Sequence, residues 1–164
     1  MNLNEEIVAT GQKYALAVTG AGMIGATEFF KDSGASAFIE DIEIPYAQAA
    51  FDRVLRARGD MFLWNWKKTE SGYCSMEGTI ALAKAIWFKN FGMPNGPQGI
   101  GIGVSGKLTV PNEREGRSNS VYFAVIKGDV LVATTTMVLI KESREEQEKK
   151  VSAELHRLMK MTWR

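Results

Sequence analysis

Two spacings of apolar residues recur along this 164-residue chain. Tyr14-Ala15-Leu16-Ala17-Val18 is a short apolar run of strand length. It leads into Thr19-Gly20-Ala21-Gly22, and Met23 to Phe30 then reads as a helix that stops near Gly34. Phe38 to Ile44 alternates imperfectly and ends at Pro45, which predicts a strand. Ala47, Ala50, Phe51, Val54 and Leu55 follow the i, i+3, i+4, i+7, i+8 rhythm of a half-buried helix. Ser75 is a natural N-cap for a helix running to about Asn90, with Met76, Ile80, Ala83 and Trp87 on one face.

The second half is richer in strands. Ile100 to Gly106 alternates glycine with Ile100, Ile102 and Val104, predicting a buried strand whose glycines admit close packing. Lys107 to Ser120 is too charged for a core strand. Val121–Ile126 and Val130–Ile140 flank Lys127-Gly128-Asp129, a β-hairpin signal. A charged helix from about Ser143 carries the stripe Val151, Leu155, Leu158 and Met159, and residues 4–13 are consistent with a short first helix. Helices alternating with strands, plus one hairpin, predict a three-layer α/β/α sandwich around a mixed sheet. Without a repeat or linker, residues 1–164 read as one domain.

Composition narrows the chemistry. With 45% hydrophobic and 24% charged residues, this is globular rather than disordered composition. A net charge of +1 offers no electrostatic footprint for nucleic acid or a membrane surface. The longest apolar runs are too short to span a bilayer, and the acidic start lacks the regions of a signal peptide. Together with the single cysteine, Cys74, this suggests a cytoplasmic protein. One cysteine and one histidine, His156, exclude a Cys/His metal cluster, and the reading calls for no metal and no cofactor. Cys74 reads as a buried structural thiol, and His156 as a residue on the solvent or interface side of the last helix. Trp64 and Trp66, within the aromatic-rich Met61–Trp66 stretch, read as a hydrophobic anchor or a subunit contact.

Four segments, in order, resemble the C-terminal domain of CinA, a module that also stands alone as the PncC-type nicotinamide mononucleotide amidohydrolase. Ala17-Val18-Thr19-Gly20-Ala21-Gly22 sits where that family has A-E-S-C-T-G. Ala35-Ser36-Ala37-Phe38 with Pro45-Tyr46-Ala47-Gln48-Ala49-Ala50 is similar to S-S-A-Y-F and A-Y-S-N-E-A. Gly72-Tyr73-Cys74-Ser75-Met76-Glu77 looks like G-A-V-S-E-E. Gly103-Val104-Ser105-Gly106, Ser120 to Ala124, and Ser143-Arg144-Glu145-Glu146 resemble V-T-G, G-T-V-Y-I-A and D-R-E-E. The resemblance implies an α/β/α fold, a homodimer, a small nucleotide ligand and hydrolysis of a carboxamide to a carboxylate and ammonia.

It also implies site residues. The nucleophilic serine position is Thr19, which keeps a hydroxyl but adds a methyl that restricts χ1. Capping of the following helix is the alternative role for Thr19. The assisting tyrosine is Tyr46. The assisting lysine position is Phe51, which can neither give nor take a proton. Lys31, Lys67 and Lys68 are the candidate lysines to enter the site from elsewhere in the chain. Substrate contacts fall on Gly20, Ala21, Gly22, Ser105 and Arg144, the last suited to a phosphate. The glycine-rich substrate loop is rebuilt as residues 107–116. Two functions follow: a diverged amidohydrolase, or an inactive member that binds a ligand or a protein.

Overall fold

The computed structural model describes residues 2–56, 72–110, 119–140 and 142–163. Five strands, β1 (Tyr14–Thr19), β2 (Ile39–Glu43), β3 (Ile100–Gly106), β4 (Asn119–Lys127) and β5 (Val130–Leu139), form one sheet in the order β2-β1-β3-β4-β5. β1 runs parallel to both of its neighbours, while β3, β4 and β5 are antiparallel. α1 (Leu3–Val8), α2 (Met23–Glu28) and α5 (Arg144–Lys160) cover one face; α3 (Gln48–Arg56) and α4 (Met76–Phe91) cover the other. This is the three-layer mixed-sheet architecture that the alternation of spacings predicts.

Alternation along the strands divides the core. Leu16, Val18, Ile102 and Val104 face α2 and α5, whereas Ala15 and Ala17 face Phe51 and Leu55 of α3 and Leu82 and Ile86 of α4. Gly101 and Gly103 let α4 lie directly on β3. A methyl at Gly101 would sit 2.5 Å from Trp87 Cβ, and one at Gly103 would sit 2.5 Å from the Thr79 carbonyl oxygen. The glycine spacing is therefore a helix-seating device.

Element ends follow local chemistry. Ser75 Oγ accepts from the Gly78 amide, and Ser143 with Glu146 forms a reciprocal capping box on α5. Gly128 and Asp129 both have positive φ, 57° and 63°, so the hairpin closes with two left-handed residues while Lys127 stays in β4. α2 is shorter than its sequence suggests. It gives way at Phe29 to a 3₁₀ turn, where the Asn4 side-chain amide donates to the Phe29 and Ser33 carbonyls.

The predicted face of α4 is also revised. Of Met76, Ile80, Ala83 and Trp87, only Ala83 is fully buried; the most deeply buried positions include Thr79, Leu82 and Ile86. The reason is that α4 is enclosed by both the sheet and α3, so its buried positions run most of the way round. Among the described residues, no helix is long and apolar enough to cross a membrane.

Candidate functional site

Because β1, β2 and β3 are parallel, their carboxyl ends meet along one edge of the sheet, the usual place for a ligand in such folds. An open cleft of about 330 Å³ lies there. Thr19 and Gly20 come from the end of β1, Pro45 and Tyr46 follow β2, and Gly106 and Lys107 follow β3. Phe51, Tyr73, Cys74 and Arg144 complete most of the wall.

Thr19 is nearly buried, and its Oγ1 donates to the Pro45 carbonyl at 2.9 Å. It does not cap α2. Gly22, at φ 83°, is the N-cap residue, and its amide donates to a Glu148 carboxylate oxygen at 3.1 Å. A buried side chain from α5 thus supplies the acceptor at this helix end, in place of the capping role open to Thr19. Burial pushes the Glu148 carboxyl above the usual carboxylate range, opposed by the Gly22 amide and by the Arg144 charge. The strand–glycine–helix turn presents its Gly22 amide to the protein's own carboxylate.

The remaining sequence-derived residues separate into two groups. Gly20 lines the cleft at φ 72°, and any side chain there would run into the Gly106 carbonyl. Tyr46 stands on the rim, 69% exposed. Arg144, exposed in the first turn of α5, also borders the cleft, and among the described residues no ion pair holds it. Ala21 is fully buried away from the lining, as is Gly22. Ser105 lies beneath α4 with no exposure, sharing a 2.6 Å hydrogen bond with Thr79. Since the Thr79 hydroxyl already donates to the Ser75 carbonyl, Ser105 is the donor to Thr79.

Phe51 belongs to the core yet shows its edge to the cleft, with its ring T-stacked on Tyr73 at 5.1 Å. Among the described residues that line the cleft, none is a carboxylate. Lys31 pairs with Glu28, far from the cleft lining, and Lys67 and Lys68 lie outside the described residues. Among the described residues, the lysine that borders the cleft is Lys107, which the sequence reading passed over. Its signal was its place directly after the glycine that ends β3. The following residues are clamped: the Thr109 amide donates to Gln147 Oε1 at 2.7 Å, and Gln147 Nε2 returns to Thr109 Oγ1 at 2.8 Å.

Two sequence readings are corrected. Cys74 is half-buried in the cleft wall, not fully enclosed, and its thiol donates to the Gly106 carbonyl at 3.4 Å. His156 faces α2: Nε2 lies 3.0 Å from the Gly25 carbonyl oxygen and 3.6 Å from Glu28, with the ring tilted against Phe29. The packing of α2 across α5 decides this, which helical spacing alone does not encode. Trp64 and Trp66 lie outside the described residues. Among the described residues, no three His, Cys, Asp or Glu side chains are grouped to hold a metal.

A mixed five-stranded sheet between two helical layers, with a cleft at the carboxyl ends of its parallel strands, defines a three-layer α/β/α protein. No family model matches the chain, and no curated protein matches it in sequence. Solved structures match in fold. A competence or damage-inducible protein from Enterobacter asburiae superposes with a TM-score of 0.70 at 17% identity, covering 96% of each chain. A CinA-superfamily protein from Escherichia coli gives 0.70 at 14% identity, over 98% of this chain and 89% of that one. One from Klebsiella pneumoniae gives 0.68 at 17% identity, over 98% and 94%. The chain shares the fold of these CinA-superfamily structures, the fold that the order of its motifs implies.

Proposed function

We propose that this chain is a diverged CinA-like protein that binds a small anionic, ring-bearing molecule in the cleft and does not hydrolyse its amide. A pyridine mononucleotide is the first ligand to test, because the motif resemblance points to that class. Arg144 and Lys107 supply two positive charges at the cleft margin, and the exposed Tyr46 ring offers a stacking surface beside them.

The observation that carries the non-hydrolytic part is the Thr19 hydroxyl. Its proton goes to the Pro45 carbonyl oxygen, which cannot act as a base, and Phe51 occupies the position where the resemblance requires a lysine. A hydroxyl is almost wholly protonated at neutral pH, so attack needs a positioned base, an effect worth ~10²–10⁴ in rate. The Thr19 methyl adds a steric handicap. Phosphate and ring recognition need no such base.

The test pairs calorimetric titration of nicotinamide mononucleotide with an assay for ammonia release. Saturable binding without ammonia is expected. Arg144→Gln should weaken binding by about 10–100-fold, the loss of one charge-assisted contact. Rapid ammonia release that Thr19→Ala abolishes would overturn the proposal, and absence of binding would remove its ligand.

A further inference from the structure

The cleft is built from two unlike halves. Its cationic margin is made by Arg144, which opens α5, and Lys107, which follows β3. The other wall is aromatic. Tyr46 lies between β2 and α3, Phe51 is in α3 and Tyr73 precedes α4, and all three line the cleft. Phe51 and Tyr73 pack in the layer on the opposite face of the sheet from α5. Neither is a residue to which the motif resemblance assigns a binding role. The Tyr73 ring is fixed from two directions. It meets Phe51 in a T-shaped contact, with centroids 5.1 Å apart and planes at 86°, and its hydroxyl donates to Asp52 Oδ1 at 3.2 Å. Donation to a carboxylate polarises the phenol and leaves its ring richer in electrons.

We propose that Phe51 and Tyr73 make the cleft selective for the charge of its ligand's ring, so that it holds the oxidised, cationic form of a pyridine nucleotide in preference to the reduced, neutral form. This rests on the proposed binding of a phosphate-bearing ring compound and adds which redox state of the ring is held. With no carboxylate among the described lining residues, a cationic ring finds no ion pair in the cleft. Arg144 and Lys107 attract the phosphate and repel the ring, which sends the two ends of such a ligand to opposite walls. At the aromatic wall the negative face of a tyrosine ring stands in for a counter-ion, an attraction that strengthens as water is excluded. Phe51 acts partly through what it lacks. A lysine at position 51 would set an ammonium against the same ring and repel it. Phenylalanine removes that charge and supplies the surface that steadies Tyr73. A neutral ring stacks on this wall but gains none of the cation–π attraction.

Calorimetric titration of the purified chain with nicotinamide mononucleotide and with its reduced dihydro form, at one pH and one salt concentration, tests this. The two share phosphate and ribose and differ in ring charge. The oxidised form should bind about 3–30-fold more tightly, the range of a cation–π contact from exposed to desolvated. Tyr73→Leu should abolish the preference by weakening the oxidised form alone. Tyr73→Phe, which keeps the ring and loses the bond to Asp52, should retain most of it. The wild-type ratio decides the matter if the leucine variant is misfolded. Equal affinities for the two forms would overturn this inference and leave the ligand class of the cleft standing. A preference that survives Tyr73→Leu in a folded protein would also overturn it. Binding of neither form would remove the ligand reading and this inference together.

Discussion

Replacing Gly103 by alanine should lift α4 from the sheet. The added methyl would lie 2.5 Å from the Thr79 carbonyl oxygen and 2.9 Å from the Ala83 amide nitrogen, both backbone atoms that cannot rotate aside. Ordinary contact begins at 3.4 Å, so the helix must retreat by about 0.9 Å. That retreat stretches the buried Ser105–Thr79 hydrogen bond, now 2.6 Å. Overpacking of this kind costs ~1–3 kcal/mol, and opening a buried hydrogen bond costs ~1–3 kcal/mol. Alanine offsets ~0.4–1 kcal/mol by restricting the unfolded chain. A net loss of ~2–4 kcal/mol is expected, which for a chain of this length lowers Tm by roughly 5–15 °C. Urea unfolding followed by circular dichroism measures it, with Gly11→Ala as the comparison. Gly11 also has a positive φ, 68°, but nothing stands within 4 Å of its missing methyl, so only the conformational cost of ~1–2 kcal/mol applies. A Gly103→Ala variant within ~0.5 kcal/mol of wild type would refute the seating of α4 on β3.

Other consequences follow from the polar groups held by α5. Glu148 has a raised pKa through burial, so the native state holds its proton to higher pH than the unfolded chain does. Its contribution is therefore greatest below the unfolded carboxyl pKa and is lost as pH rises through the folded value. The stability of wild type relative to Glu148→Gln should increase as pH falls toward the unfolded carboxyl pKa; a pH-independent difference in urea midpoints would contradict this. Gln147→Leu should free the segment after β3, since Gln147 is fully buried and bonds both Thr109 and the Ile140 carbonyl. A loss of ~2–3 kcal/mol is expected, together with faster amide exchange at Thr109; unchanged protection there would show that the clamp is not what orders the segment. Tyr14→Phe removes the hydroxyl that donates to the Met159 carbonyl at 2.7 Å and whose pKa burial pushes up to about 12. It should cost ~1–2 kcal/mol, read from thermal melts, and a neutral result would mean that water replaces the bond.

Local rules made much of the architecture legible in the sequence. The apolar run at β1, the glycine alternation in β3, the Gly128-Asp129 turn and the Ser75 cap each describe a constraint satisfied within a few residues. Thr19, Tyr46 and Arg144 were also found from motif order, and all three border one cleft. What the sequence did not disclose are partnerships between residues far apart in the chain. Glu148 looked like one more charge on a polar helix, yet it accepts from Gly22, 126 positions away. Ser105 looked available for a ligand, but Thr79 covers it. Lys107 looked like the start of a charged loop, although the parallel run of β1 and β3 brings it to the mouth of the cleft. Spacing along a chain fixes which face of an element a residue occupies. Which neighbour meets that face depends on how the layers stack, and the tertiary structure alone decides it.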